Sequence, residues 1–249
     1  MLDFATGHPV DPAALVLGID GGWGGSGWCL ATSEGPIEAG RRKLPDPDTE
    51  TRARRAAAVK AWLAELDERI AMARIDLAVR YGRASPPRVV VERIPWVYAG
   101  RGNQAAIGWG QGRLDGMIEL WATRDDWSPC WLVPSGDELA KPARPKRKTP
   151  AEMLAELRGQ APATPARAVR STTGDGVLWH GWRPWWGYPA NVERSRAKAR
   201  AIRLVRGLGW GHLLDGHAET PADAPPAGDV AEAVLIAVGG ARHPGFAPA

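Results

Sequence analysis

The chain turns a corner at Asp20. Leu15-Val16-Leu17-Gly18-Ile19 is an apolar run that ends in this carboxylate, and Gly21-Gly22-Trp23-Gly24-Gly25-Ser26-Gly27 follows at once. The run predicts a buried strand over 15–20. The glycines let the backbone turn sharply, so that the chain returns as a second apolar strand over 27–32. A carboxylate closing a buried strand is a costly charge unless something at that point needs it.

Two further acidic sites break apolar patterns in the same way. Glu92 follows Val89-Val90-Val91, and strand alternation puts it on the same face as Val90, where an apolar side chain is expected. Asp229 and Glu232, in Gly228-Asp229-Val230-Ala231-Glu232-Ala233, are three apart and share a helix face. Taken alone, that pair fits an N-cap and its capping-box partner. A strand-end Asp likewise fits a turn, and a strand Glu fits a buried pair with Arg. Taken together, three or four carboxylates cannot meet in a core without a cation. Their hard oxygens select magnesium or manganese rather than zinc. His212 and His217 flank a loop and read as solvent-facing rather than as ligands.

The remaining elements alternate between strand and helix. A weaker third strand is predicted over 36–44. A long helix is predicted over 50–80, where Ala58, Trp62, Leu66 and Ile70 recur at helical spacing. A buried strand follows over 88–93, a Pro-, Gly- and aromatic-rich loop over 95–104, a helix over 105–124 and a strand over 129–134. Residues 135–191 are irregular, with a short helix at 150–158. A basic helix over 192–207, a linker over 211–228 and an apolar helix over 229–240 complete the chain. The pattern predicts an α/β fold: a mixed sheet flanked by helices, forming one domain over 1–249 with a basic, Trp-rich insertion at about 141–190. No internal repeat is visible.

The formal charge of +4 is modest, but the basic residues cluster. They gather at Arg41-Arg42-Lys43, in the Lys141–Lys148 segment with Lys146, Arg147 and Lys148, and along Arg196, Lys198 and Arg200. Each cluster alone reads as a solvated face. Three in one chain with a carboxylate set suit a polyanion such as nucleic acid. Thirteen Trp stand against two Phe. Many must be core, and those in polar or Gly-rich loops (Trp23, Trp96 and the Trp182-Arg183-Pro184-Trp185-Trp186 run) suit stacking on exposed bases. Trp96 reads equally as packing under the helix that starts near 105. Cys29 and Cys130 both lie in apolar runs and read as buried reduced thiols, which points to a cytoplasmic protein. Residues 1–12 lack the basic start and apolar core of a secretory leader, and no apolar run is long enough to span a bilayer.

The ordered set of Asp20, Glu92, Asp229 and Glu232, on strand, strand and helix, resembles that of RuvC-type Holliday junction resolvases of the ribonuclease H-like superfamily. Residues 15–43 look like the family's first hairpin, 89–124 like its strand, aromatic loop and helix, and 193–240 like its last two helices. Asn103 to Arg113 echoes a family helix start. The chain departs from the family in having Gly21 where Pro is usual and Glu232 where Asp is usual, and 141–190 has no obvious counterpart. The compact, diverged chain suits a phage-encoded relative.

The resemblance implies a structure-selective endodeoxyribonuclease that cuts four-way or other branched DNA by paired nicks, and hence a symmetric dimer. It implies two magnesium or manganese ions clamping the scissile phosphate. Asp20 would bridge them, Glu92 would bind one, and Asp229 and Glu232 would complete the site. Lys198 would help neutralise phosphate charge. Trp96 or Tyr98, with Arg101 nearby, would wedge between bases at the junction.

Two other classes share features of the chain. An actin-like or sugar-kinase ATP-binding protein also begins with a Gly-Ile-Asp-Gly-Gly strand and turn, although such proteins need a second domain of similar size. The Gly21–Gly27 stretch has no Lys-Ser or Lys-Thr after it, which disfavours a P-loop. The non-enzyme alternative is a branched-DNA-binding protein with a decayed site.

Overall fold

The computed structural model describes residues 11–22, 24–45, 50–93, 104–128, 131–134, 182–186, 194–217 and 226–242. The predicted hairpin is present as β1 (Val16–Asp20) and β2 (Gly25–Thr32), and the chain continues into β3 (Gly35–Lys43). Helix α1 (Arg52–Tyr81) leads to β4 (Arg88–Arg93), α2 (Gln104–Ala122) and β5 (Trp131–Pro134). Then come the short helix α3 (Trp182–Trp185), the basic helix α4 (Arg194–Gly207), a 3₁₀ turn (Gly211–Leu214) and α5 (Pro226–Arg242).

The strands form one five-stranded sheet in the order β3-β2-β1-β4-β5. β2 runs antiparallel to β1 and β3, whereas β4 is parallel to both β1 and β5. The expectation of a mixed sheet flanked by helices is met. Alternation divides β1 between two cores. Leu15, Leu17 and Ile19 pack with Trp62, Leu66 and Ile70 of α1 on one face. Val16 and Val90 pack with α4 and α5 on the other.

Helix α1 starts where Thr51 caps it, its side chain accepting from the Arg54 amide at 3.3 Å, and stops at Gly82 in the left-handed region. Its buried stripe, Val59, Trp62, Leu63, Leu66, Ile70, Ala73 and Leu77, is the predicted apolar face. Helix α5 has no polar face of the usual kind: Ala227 to Gly240 are all buried, because it lies between the sheet and α4. Gly18 permits this. A Cβ there would meet the Ala237 nitrogen at 2.5 Å and the Ala233 oxygen at 2.7 Å, so the strand touches the helix backbone.

One expectation changes and two alternative readings fall away. The Trp182–Trp186 run is not an exposed stacking loop, because α3 puts Trp182 wholly inside the core and Trp186 donates from Nε1 to the Leu235 carbonyl at 3.0 Å. Helix α5 begins at Pro226, not Asp229, so Asp229 and Glu232 are not a cap and its partner. Lys198 is buried rather than solvated. Cys29 is a buried free thiol, and burial raises its pKa. Among the described residues, no helix is long and apolar enough to cross a membrane. Trp23, Trp96, Tyr98, Arg101, Cys130, Lys146, Arg147, Lys148 and the helix expected at 150–158 lie outside the described residues.

Candidate metal centre

Asp20 stands at the last position of β1 and faces α5, because Val16 and Gly18 do so four and two residues earlier. Glu92 reaches the same face from the adjacent parallel strand, two residues beyond Val90. Glu232 comes down from the second turn of α5. Each offers a carboxylate oxygen within 4.8 Å of the others, and all three residues are buried. Three elements far apart in sequence thus deliver hard-oxygen ligands to one point. Asp229, a turn earlier on α5, is also buried but lies outside this triad among the described residues.

Protein cations enter the cluster. Lys198, from α4, is bonded to Asp229 and stands 3.7 Å from both Asp20 and Glu232. Arg41, from β3, pairs with Asp229 at 2.8 Å. Arg183, from α3, lies 3.0 Å from Glu232 and 3.6 Å from Glu92. Asp229 is thus engaged by Lys198 and Arg41, while Asp20, Glu92 and Glu232 are the three whose oxygens converge within 4.8 Å.

The electrostatics are strained. Burial pushes the Glu92 carboxyl well above its ordinary value; the charges of Asp20 and Glu232 add to this, and Arg183 opposes it. Burial likewise pushes Glu232 up to about 7, with Asp20 adding and Arg183 and Lys198 opposing. Burial works against the Lys198 ammonium, but Asp20, Glu232 and Asp229 outweigh it and raise its pKa. A site in which two carboxyls resist ionisation despite two nearby cations is short of positive charge. A divalent ion bound by Asp20, Glu92 and Glu232 would supply it, and oxygen donors of this kind fit magnesium or manganese.

Sequence reasoning placed Asp20, Glu92, Glu232 and Lys198 around one centre. It also put Asp229 among the ligands; the structure places that carboxylate beside the triad, against Lys198 and Arg41. Two groups were missed. Arg41 was read as part of a surface cluster, although a strand alternates and only every second member of Arg41-Arg42-Lys43 can share its side. Arg183 carried a usable signal: an arginine inside an aromatic run is the counterpart of a glutamate after three valines. Arg196 is exposed and Arg200 half-buried on α4.

No protein-family model and no curated protein matches the chain. Among solved structures it is similar to Thermus thermophilus RuvC in complex with a Holliday junction substrate, with 14% identity, a TM-score of 0.43 and 90% of each chain covered. A second structure of Thermus thermophilus RuvC gives 15% identity, a TM-score of 0.41, and coverage of 90% of this chain and 91% of that one.

Proposed function

We propose that the chain is a metal-dependent, structure-selective endodeoxyribonuclease with a ribonuclease H-like fold, acting on Holliday junctions or related branched DNA by paired nicks. The observation that carries this reading is the buried convergence of Asp20, Glu92 and Glu232 within 4.8 Å. The mixed sheet that brings two of them side by side on parallel strands supports it.

In this reading Asp20, Glu92 and Glu232 hold magnesium or manganese, two ions per site, with Asp229 completing the set. A divalent ion held there would supply Lewis acidity to the scissile phosphate and to an attacking water. Lys198 brings a fixed positive charge to the site, and its tie to Asp229 holds the ammonium beside Asp20 and Glu232. Arg41 secures Asp229 from the other side. The exposed arginines of α4 meet the DNA backbone, together with Arg101, Lys146, Arg147 and Lys148. Trp96 or Tyr98 stacks on bases opened at the junction centre. Matched nicks need two sites, so the active form is a homodimer.

The test is cleavage of a four-way junction, a flap and a linear duplex, each with magnesium or with EDTA. Magnesium-dependent paired nicking of the junction, with little cutting of the linear duplex, is the expected result. A second reading has one observation in its favour: Arg183 and Lys198 already neutralise part of the cluster, as they would in a branched-DNA-binding protein that no longer cuts. Tight junction binding with no cleavage in magnesium or manganese would select it.

A further inference from the structure

Arg183 touches the carboxylates that a metal ion would use. Its terminal nitrogen is 3.0 Å from one oxygen of Glu232 and 3.6 Å from one oxygen of Glu92, and Lys198 stands 3.7 Å from the other Glu232 oxygen. Both oxygens of Glu232 thus face a protein cation. The two cations are placed differently. Lys198 has its nearest carboxylate in Asp229, outside the triad, and stands 3.7 Å from Asp20 and Glu232. Arg183 meets the site at two members of the triad itself.

We propose that Arg183 is a built-in counter-cation that competes with the divalent ion for Glu92 and Glu232, so that metal loading requires its guanidinium to leave them. The proposal rests on the reading of the triad as a metal site. Before metal binds, Glu92 and Glu232 are buried, and an unpaired buried carboxylate is strongly unfavourable, so a cation there lets the site exist in the folded chain. The arginine head suits this task because it is weakly hydrated and always charged. Once a divalent ion arrives, two like charges a few ångströms apart contend for the same oxygens, and each weakens the other's hold.

The anchoring of α3 allows the exchange without unfolding. Trp182 is wholly buried in the core shared with α5, and Trp186 is bonded to the Leu235 carbonyl, three residues beyond Glu232. The backbone on both sides of Arg183 is therefore fixed to the element that carries Glu232. The long arginine stem lets the head swing while the backbone stays.

The experiment is Mn²⁺ binding to the full chain, followed by electron paramagnetic resonance and calorimetry, with no substrate present. Wild type, Arg183→Gln and Arg183→Lys are compared, with Asp20→Asn as the weakened-site reference. Arg183→Gln is expected to bind Mn²⁺ tighter by about tenfold or more, while Arg183→Lys, which keeps the charge, stays near wild type. Binding by Arg183→Gln but not by wild type would also support the competition. An unchanged or weaker affinity in Arg183→Gln, with wild type binding normally, overturns the proposal and leaves the metal site standing. Absence of Mn²⁺ binding in both proteins overturns the two together. If Arg183→Gln does not fold by circular dichroism, wild type decides. In protein labelled with ¹⁵N-arginine, the Arg183 Nε resonance, identified by its loss in Arg183→Lys, must shift on saturation with Mg²⁺. A resonance that stays in place overturns the proposal.

Discussion

Glu232 bears a sharp local conflict. It is 1% exposed, shares its surroundings with Asp20 and Glu92, and has its pKa pushed up to about 7 from an ordinary 4.5. The folded chain therefore holds a proton there that the unfolded chain releases at lower pH. Stability from this group is fully present below about pH 4.5 and is lost as pH rises through about 7. In EDTA, the melting temperature of wild type should fall across that window, and Glu232→Gln should flatten the fall. An equal slope in both proteins would place the conflict elsewhere. Asp20 gives the catalytic counterpart. Asp20→Asn should abolish junction cleavage while leaving junction affinity intact or stronger, because one phosphate-repelling charge is gone. Near-normal turnover at saturating magnesium would remove Asp20 from the site.

Helix α5 couples packing to chemistry at the scale of the element. It is buried on nearly all sides, carries both Asp229 and Glu232, and lies against β1 at Gly18. The atoms that a Cβ at Gly18 would strike, at 2.5 and 2.7 Å, belong to helix backbone and cannot swing aside as a side chain would. Gly18→Ala should therefore cost about 1–3 kcal/mol of stability by overpacking. The same shift should move Glu232 relative to Asp20, so Mn²⁺ affinity should drop as well. Leu66→Ala, on the opposite face of the sheet, provides the contrast. It should cost about 2–5 kcal/mol through a cavity yet leave metal affinity unchanged. Urea unfolding paired with metal titration separates the two. Equal metal affinity in Gly18→Ala and wild type would uncouple the helix's seat from the site.

Among the described residues, the basic groups near α4 and the acidic cluster are placed in two ways. Arg41, Arg183 and Lys198 point inward and balance carboxylates. Arg196 and Arg203, seven residues apart on α4, are exposed on one helical face. If the proposed function holds, the electrostatic role in DNA binding falls to the outer pair, while Lys198 on the same helix lies at the acidic cluster. Replacing Arg196 and Arg203 with Ala should reduce the slope of log junction affinity against log salt by roughly 1–2, about one unit for each phosphate that is no longer neutralised. An unchanged slope would assign both to an ordinary solvated face. Lys198→Ala should instead reduce cleavage more than binding.

Local chemistry was enough to mark the strands and the long helices and to nominate the carboxylates that converge. Period-two alternation around Gly18 and Val90 marked Asp20 and Glu92 as charges on a buried face, and the helical spacing of Trp62, Leu66 and Ile70 marked α1. These signals come from backbone periodicity and from the cost of burying a charge, so a single segment of sequence carries them. How the carboxylates are shared was settled only when the elements packed. Asp229 and Glu232 are equivalent by spacing, but α5 begins at Pro226 and is seated through Gly18, which turns Glu232 to Asp20 and Glu92 and leaves Asp229 to Lys198 and Arg41. Arg183 reaches the centre across 49 residues of sequence from Glu232. The aromatic run around Arg183 marks a charge in an apolar setting but not its partner, because the energy of that contact arises only when distant charges are desolvated together.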